Sequence, residues 1–143
     1  MDKKSIALNY FNSGKNCCQS VVLAFKEELN LDEQTLDKLS MPFGGGFARL
    51  RLVCGAVSGM AMVISNKFTN SDGTNKTEVY SIVQQACKEF EKEAGSIICG
   101  ELLDGITNDK SPNAEPRTAE YYKKRPCSEL VALGVEIAEK CIK

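Results

Sequence analysis

Among 143 residues the chain carries Cys17, Cys18, Cys54, Cys87, Cys99, Cys127 and Cys141, and it has no histidine. Without imidazole there is no Ser-His-Asp or Cys-His nucleophile, no His-ligated zinc and no haem with a proximal His. Nor is there an imidazole to move protons near neutral pH. What remains is thiol chemistry. A thiolate is both the nucleophile of disulfide exchange and a ligand for soft metals. Four thiolates together suit an iron–sulfur cluster or structural zinc. No pair is spaced CxxC, so the close-paired zinc-knuckle pattern is absent. The odd total would leave one thiol over if the rest formed disulfides.

Helices must position these thiols, because apolar residues recur at helical spacing and no run alternates with period two. Residues 3–13 place Ile6, Tyr10 and Phe11 on one face, and Gly14 ends the helix. Asn16 with Gln19 forms a capping-box pattern. The helix that follows carries Cys17, Val21, Ala24, Phe25 and Leu29 on one stripe. Asp32 caps a short helix through Leu36 and Leu39, which Pro42 ends. Gly44-Gly45-Gly46 reads as a flexible hinge before a buried helix over 48–66. The small residues Gly55, Ala56 and Gly59 let another helix approach, within the chain or across a homodimer.

After a polar loop, residues 76–94 form an amphipathic helix with Val79, Ile82, Val83, Ala86 and Phe90 inward. Ser96 is placed to cap a short helix over 97–103. A long loop over 105–118 contains Pro112 and Pro116, and Pro126 opens a last helix through Leu130, Val131, Gly134, Ala138 and Cys141. The expectation is an all-α, single-domain bundle of five to seven helices spanning residues 1–143.

On this map Cys17, Cys99 and Cys127 each fall in the first turn of a helix. Unpaired backbone N–H groups and the helix dipole favour an anion there, which predicts lowered thiol pKa values. Cys54 differs: it immediately precedes Gly55 on the close-approach surface. Four helices meeting at one end can gather these four sulfurs. Cys87 and Cys141 lie on or beside core stripes, where a free cysteine acts as a small apolar side chain. Cys18 reads as a packing residue or secondary thiol, because a vicinal disulfide with Cys17 would be strained.

Several motifs, in order, carry a family resemblance. Asn16-Cys17-Cys18-Gln19-Ser20-Val21 is similar to an N-C-A-Q-S-V start. Phe43-Gly44-Gly45-Gly46, Arg49 and Cys54-Gly55-Ala56-Val57-Ser58-Gly59 resemble a glycine run followed by C-G-A-x-x-G. Cys99-Gly100-Glu101-Leu102-Leu103 matches a C-x-E-L-L element, and Cys127 resembles a final cysteine. Over about residues 7 to 140 the chain thus resembles the C_GCAxxG_C_C family of redox-active proteins. The resemblance implies that Cys17, Cys54, Cys99 and Cys127 form a cysteine-centred redox site with an iron–sulfur or other metal group. Cys18 stands where the family usually has Ala. Arg51 stands where a small residue is expected, and can alter access to the site or supply counter-charge for thiolates.

The remaining candidates are weaker. Gly44-Gly45-Gly46 with Arg49 can form an anion nest, but a sharp entry into a buried helix is the favoured reading of the glycines. Tyr121-Tyr122-Lys123-Lys124-Arg125 can form a basic lip for an acidic redox partner protein, or be an ordinary solvated run. Glu101 is the carboxylate to watch, as a proton donor or orienting group beside Cys99 or as a surface residue. A net charge of -1, from 18 Lys+Arg and 19 Asp+Glu, gives no electrostatic case for nucleic acid or anionic lipid. No apolar run reaches the length of a membrane helix. A cytoplasmic location is expected, with reduced thiols.

Three functions follow. In the first, Cys17, Cys54, Cys99 and Cys127 hold an iron–sulfur or other metal site for electron transfer or redox sensing. In the second, the protein is a thiol–disulfide oxidoreductase in which Cys17 or Cys127 attacks and needs no cofactor. In the third, it is a non-catalytic interaction module whose cysteines pack. The first is preferred, because four thiols on separate helices make a better cage than an exchange pair.

Overall fold

A computed structural model describes residues 1–143. The fold is all-α, with nine α-helices and one 3₁₀ helix. They are α1 (Lys3–Asn12), α2 (Cys17–Ala24), α3 (Lys26–Leu29), α4 (Glu33–Ser40), the 3₁₀ helix Met41–Phe43, α5 (Gly55–Phe68), α6 (Lys76–Ala94), α7 (Cys99–Leu102), α8 (Ala119–Lys124) and α9 (Cys127–Ile142). That exceeds the expected seven at most by two, because the helix expected after Asn16 is divided into α2 and α3 and because α8 forms as well. The long helix expected after Asn16 divides at the fully buried Phe25, whose N–H turns back to Val22 and Leu23. Asn30, in the left-handed region, then ends α3. The run Tyr121–Lys124 lies in a further short helix, α8, capped by the Thr118 side chain at Tyr121 N.

Helix α5 sits at the centre of the bundle, between α2 and α9, with α6 beside it and α1 across α2 and α9. The close approach is made by glycines. A Cβ on Gly59 would lie 2.9 Å from Val21 Cβ and 3.1 Å from Cys18 O. One on Gly134 would lie 3.0 Å from Ala56 O. The small-residue face is therefore filled within the chain, by α2 and α9. Phe11, Phe25, Met60, Ile64, Phe90, Val131 and Val135 form the core around it.

The stretch before α5 departs from the expected helix over 48–66, since α5 begins only at Gly55. Residues Gly45, Gly46, Phe47, Ala48 and Arg49 all have positive φ, between 50° and 74°, and Arg51 joins them at 62°. A right-handed helix cannot pass through such residues, and each non-glycine one costs about 1–2 kcal/mol. Wide turns close the loop instead: Arg49 N donates to Gly44 O (3.1 Å), Arg51 N to Gly45 O (3.1 Å) and Leu52 N to Gly46 O (2.8 Å). Its apolar residues Phe47, Leu50 and Leu52 are exposed, so their helical spacing reflects no buried stripe. No helix is long and apolar enough to cross a membrane.

Candidate functional site

Each of the four sequence-selected cysteines lies at a helix N-terminus. Cys17, Cys99 and Cys127 are the first residues of α2, α7 and α9, and Cys54 is the N-cap of α5. Cys54 thus belongs with the other three rather than inside a helix. At α2 the capping box is complete: Asn16 Oδ1 accepts from Gln19 N at 2.9 Å, and Gln19 Oε1 accepts from Asn16 N at 3.0 Å. Ser96 is not the cap of α7. Its Oγ accepts from Ile98 N at 2.9 Å and donates to Glu101 Oε1 at 2.6 Å, which occupies Glu101 in holding the turn.

Backbone pairing sets two of the thiols side by side. Cys54 N donates to Ile97 O (2.8 Å), Cys99 N to Leu52 O (2.6 Å) and Gly100 N to Arg51 O (3.0 Å), around an antiparallel bridge between Val53 and Ile98. Gly46 fits against this junction, since a Cβ there would lie 2.6 Å from Cys99 Cβ. At α5, a Cβ on Gly55 would meet Cys17 Cβ at 3.2 Å and Cys18 N at 3.1 Å. Only glycine lets the starts of α2 and α5 come so near.

All four cysteines line one cavity of about 520 Å³. Arg49, Arg51, Arg117, Arg125, Tyr121 and Glu115 share its wall, while Glu101 does not line it. Glu115 joins the cations. Its Oε1 accepts from Arg49 Nη2 at 3.0 Å and from Arg125 Nη2, with Arg51 Nη2 at 3.8 Å. The loop over 105–118 is tied down further by Arg49 to Ser111 and by Arg51 Nε to Asp109 O at 3.0 Å. Arg51 Nη1 reaches Cys99 Sγ at 3.8 Å, which gives the counter-charge role its geometry. Arg125 stacks on Tyr121 with its guanidinium carbon 4.5 Å from the ring centre. Arg117 lies between the Phe11 and Tyr121 rings and donates to Lys15 O at 2.9 Å.

The thiols do not share one protonation preference. The neighbouring Cys17 thiol holds Cys127 down to about 7 against the effect of burial, aided by Arg125, Arg117 and Arg51. Cys17 is pushed well up by the nearness of Cys127, by burial and by the charges of Cys127, Cys54 and Cys99. Burial pushes Cys54 up to about 12, against hydrogen bonds from Ala56 and Val57 N–H. It also raises Cys99, with Arg51 opposing. Cys127 alone is lowered as expected, and the cause is the Cys17 thiol and the arginines rather than the helix end. At Cys17 and Cys99 desolvation and neighbouring thiols outweigh the helix ends.

The other cysteines stand apart from the cavity. Cys18 is fully buried with Val22, Leu23 and Leu36, its Sγ 3.8 Å from Met62 Sδ, and burial raises it to about 12. Cys87 and Cys141 are half-buried against the core. The sequence reading missed Arg117 and Glu115. Both sit in the Pro-containing loop, where no local pattern marks them. Arg125 and Tyr121 had a signal, since both belong to the basic, aromatic run just before Cys127.

Nowhere do three or more Cys, Asp or Glu side chains gather closely enough to hold a single metal ion. A tetrahedral zinc needs its sulfurs about 2.3 Å from one point, a closer grouping than these side chains show. An iron–sulfur cluster takes its thiolates around a volume instead, and an all-cysteine set around a cavity is the donor chemistry it requires.

No curated protein and no solved structure matches the chain. A family model described as "Putative redox-active protein (C_GCAxxG_C_C)" matches residues 15–141. That span contains Cys17, Cys54, Cys99 and Cys127, and the chain belongs to the C_GCAxxG_C_C family.

Proposed function

We propose that this protein is an electron-transfer or redox-sensing protein whose Cys17, Cys54, Cys99 and Cys127 hold an iron–sulfur cluster. The observation that carries the reading is the convergence of four helix N-termini, each with one thiol, on one arginine-flanked cavity. A bound cluster supplies one-electron redox chemistry, at a potential set by net charge, hydrogen bonds to sulfur and solvent access. The chain's own residues govern those terms. The helix ends present backbone N–H groups to the sulfurs, and Arg51 donates to Cys99. Arg51 and Arg125 offset negative charge, while the 105–118 loop, tied down by Arg49 and Arg51, covers part of the cavity and limits water.

A second reading rests on the Cys17–Cys127 pair. With Cys127 held near 7, a substantial fraction is thiolate at neutral pH. That thiolate attacks a partner's disulfide, forming a mixed disulfide and releasing one partner thiolate. Cys17, after losing its proton, attacks the Cys127 sulfur and releases the second. Cys17 and Cys127 end as a disulfide, and the partner is reduced by two electrons.

Anaerobic purification or reconstitution with iron and sulfide, followed by an absorption spectrum and iron and acid-labile sulfide assays, separates the two readings. The cluster reading expects visible charge-transfer bands that Cys54→Ser abolishes and Cys87→Ser leaves intact. A colourless, iron-free chain that loses two thiols on mild oxidation, with Cys54 dispensable, establishes the dithiol reading instead.

A further inference from the structure

We infer that the cavity contains a binding site for a small oxyanion, built on Arg51 and flanked by Arg125 and Arg49, with Glu115 as an internal competitor for those cations. Arg51 is 4 % exposed and lines the cavity. Its Nε is taken by Asp109 O and its Nη1 by Cys99 Sγ. Its Nη2 is buried and has no hydrogen-bond partner. The nearest acceptor, Glu115 Oε1, is 3.8 Å away and already accepts from Arg49 and Arg125. A carboxylate oxygen has two lone pairs, and both are used. A buried charged donor without a partner is costly, whereas an anion in the cavity would complete it.

The charge count points the same way. Arg49, Arg51 and Arg125 face Glu115 and Asp109, and the Asp109 side chain is 52 % exposed, with much of its charge screened. Counted without the thiols, the three arginines exceed the two carboxylates by one. The volume of about 520 Å³ lies in the range of small-molecule pockets, roughly 300–1,000 Å³, well beyond what thiols alone require. Arg117 is not part of the site, since its donors go to Phe11 O, Lys15 O and Tyr122 OH. The inference concerns the chain whose thiols hold no further group, because Arg51 and Arg125 would also face the charge of such a group, and it places a small oxyanion beside the four thiols.

Calorimetric titration of the full, reduced, metal-free chain with sulfate tests this, with malonate to compare a carboxylate and chloride at matched ionic strength as control. Saturable binding of either oxyanion, absent with chloride, is expected. Glu115→Gln should tighten it about tenfold by removing the competing charge. Arg51→Gln should abolish it while the helical dichroism is retained. No saturable heat from either wild type or Glu115→Gln overturns the site, as does undiminished affinity in Arg51→Gln. Should Arg51→Gln not fold, Glu115→Gln decides alone: tighter binding upholds the site, and unchanged or weaker binding rejects it. Because no cluster is present, failure here leaves the iron–sulfur reading standing, and a colourless reconstituted chain leaves this one standing.

Discussion

The contact of Gly46 with Cys99 can be measured by substituting two glycines that share a backbone conformation but not a neighbourhood. Gly46 has φ +74 and Gly105 has φ +79. Alanine at either position bears the left-handed penalty of about 1–2 kcal/mol, offset by roughly 0.4–1 kcal/mol of lost unfolded-state entropy. At Gly105 nothing lies within 4 Å of the new methyl, so Gly105→Ala should cost roughly 0–1.6 kcal/mol. At Gly46 the methyl would stand 2.6 Å from Cys99 Cβ, 2.7 Å from Leu52 N and 2.9 Å from Arg51 Cα. Two of those atoms are backbone, fixed by the pairing of residues 51–54 with 97–100. Such overpacking typically costs a further 1–3 kcal/mol or so. Urea denaturation followed by circular dichroism should place Gly46→Ala about 1–3 kcal/mol below Gly105→Ala. Gly46→Ala should also weaken iron retention after reconstitution, because Cys99 must move. If the two variants agree within about 0.5 kcal/mol, the loop does not press on Cys99 and the reasoning is refuted.

Three further outcomes are expected. Labelling of Cys127 by a neutral alkylating agent should rise through an apparent pKa of about 7, and Cys17→Ala should move that midpoint up toward an ordinary thiol; mass-spectrometric pH profiles that coincide would exclude the pairing. Cys18 and Cys54, raised to about 12, stabilise the fold fully below the ordinary thiol pKa of about 8.5, so stability should fall as pH climbs above it by about 1.4 kcal/mol per pH unit for each. Cys18→Ala should flatten this slope in urea melts taken across alkaline pH. Asn16→Ala removes the capping box and the 2.9 Å bond from Asn16 Nδ2 to Met41 O, and should cost about 1–2 kcal/mol in the same assay.

Much of the site was legible because helix N-termini leave local marks. The Asn16/Gln19 box, Pro126 and the turn after Ser96 placed Cys17, Cys127 and Cys99 at helix starts, where the structure has them. Cys54 was misplaced inside a helix because the sign of φ leaves no trace in hydrophobic spacing. Phe47, Ala48, Arg49 and Arg51 are held left-handed by wide-turn hydrogen bonds within the loop and by arginine anchors to residues 109–115. Arg117 and Glu115 were invisible for a related reason. Their roles come from partners far away in sequence, such as Phe11 and Lys15 for Arg117 and Arg49 for Glu115.

The spread of the four thiols along the chain also governs how the centre can be made. Cys17 and Cys54 emerge early in synthesis, Cys99 later and Cys127 only with the last helix. Formation of the site is therefore non-local and awaits the docking of α9 against α5. Until then three thiols exist without the Arg125–Cys127 corner that sets the charge of the cavity. The bundle acts as its own assembly checkpoint, since the four thiols share one cavity only when the whole fold is in place.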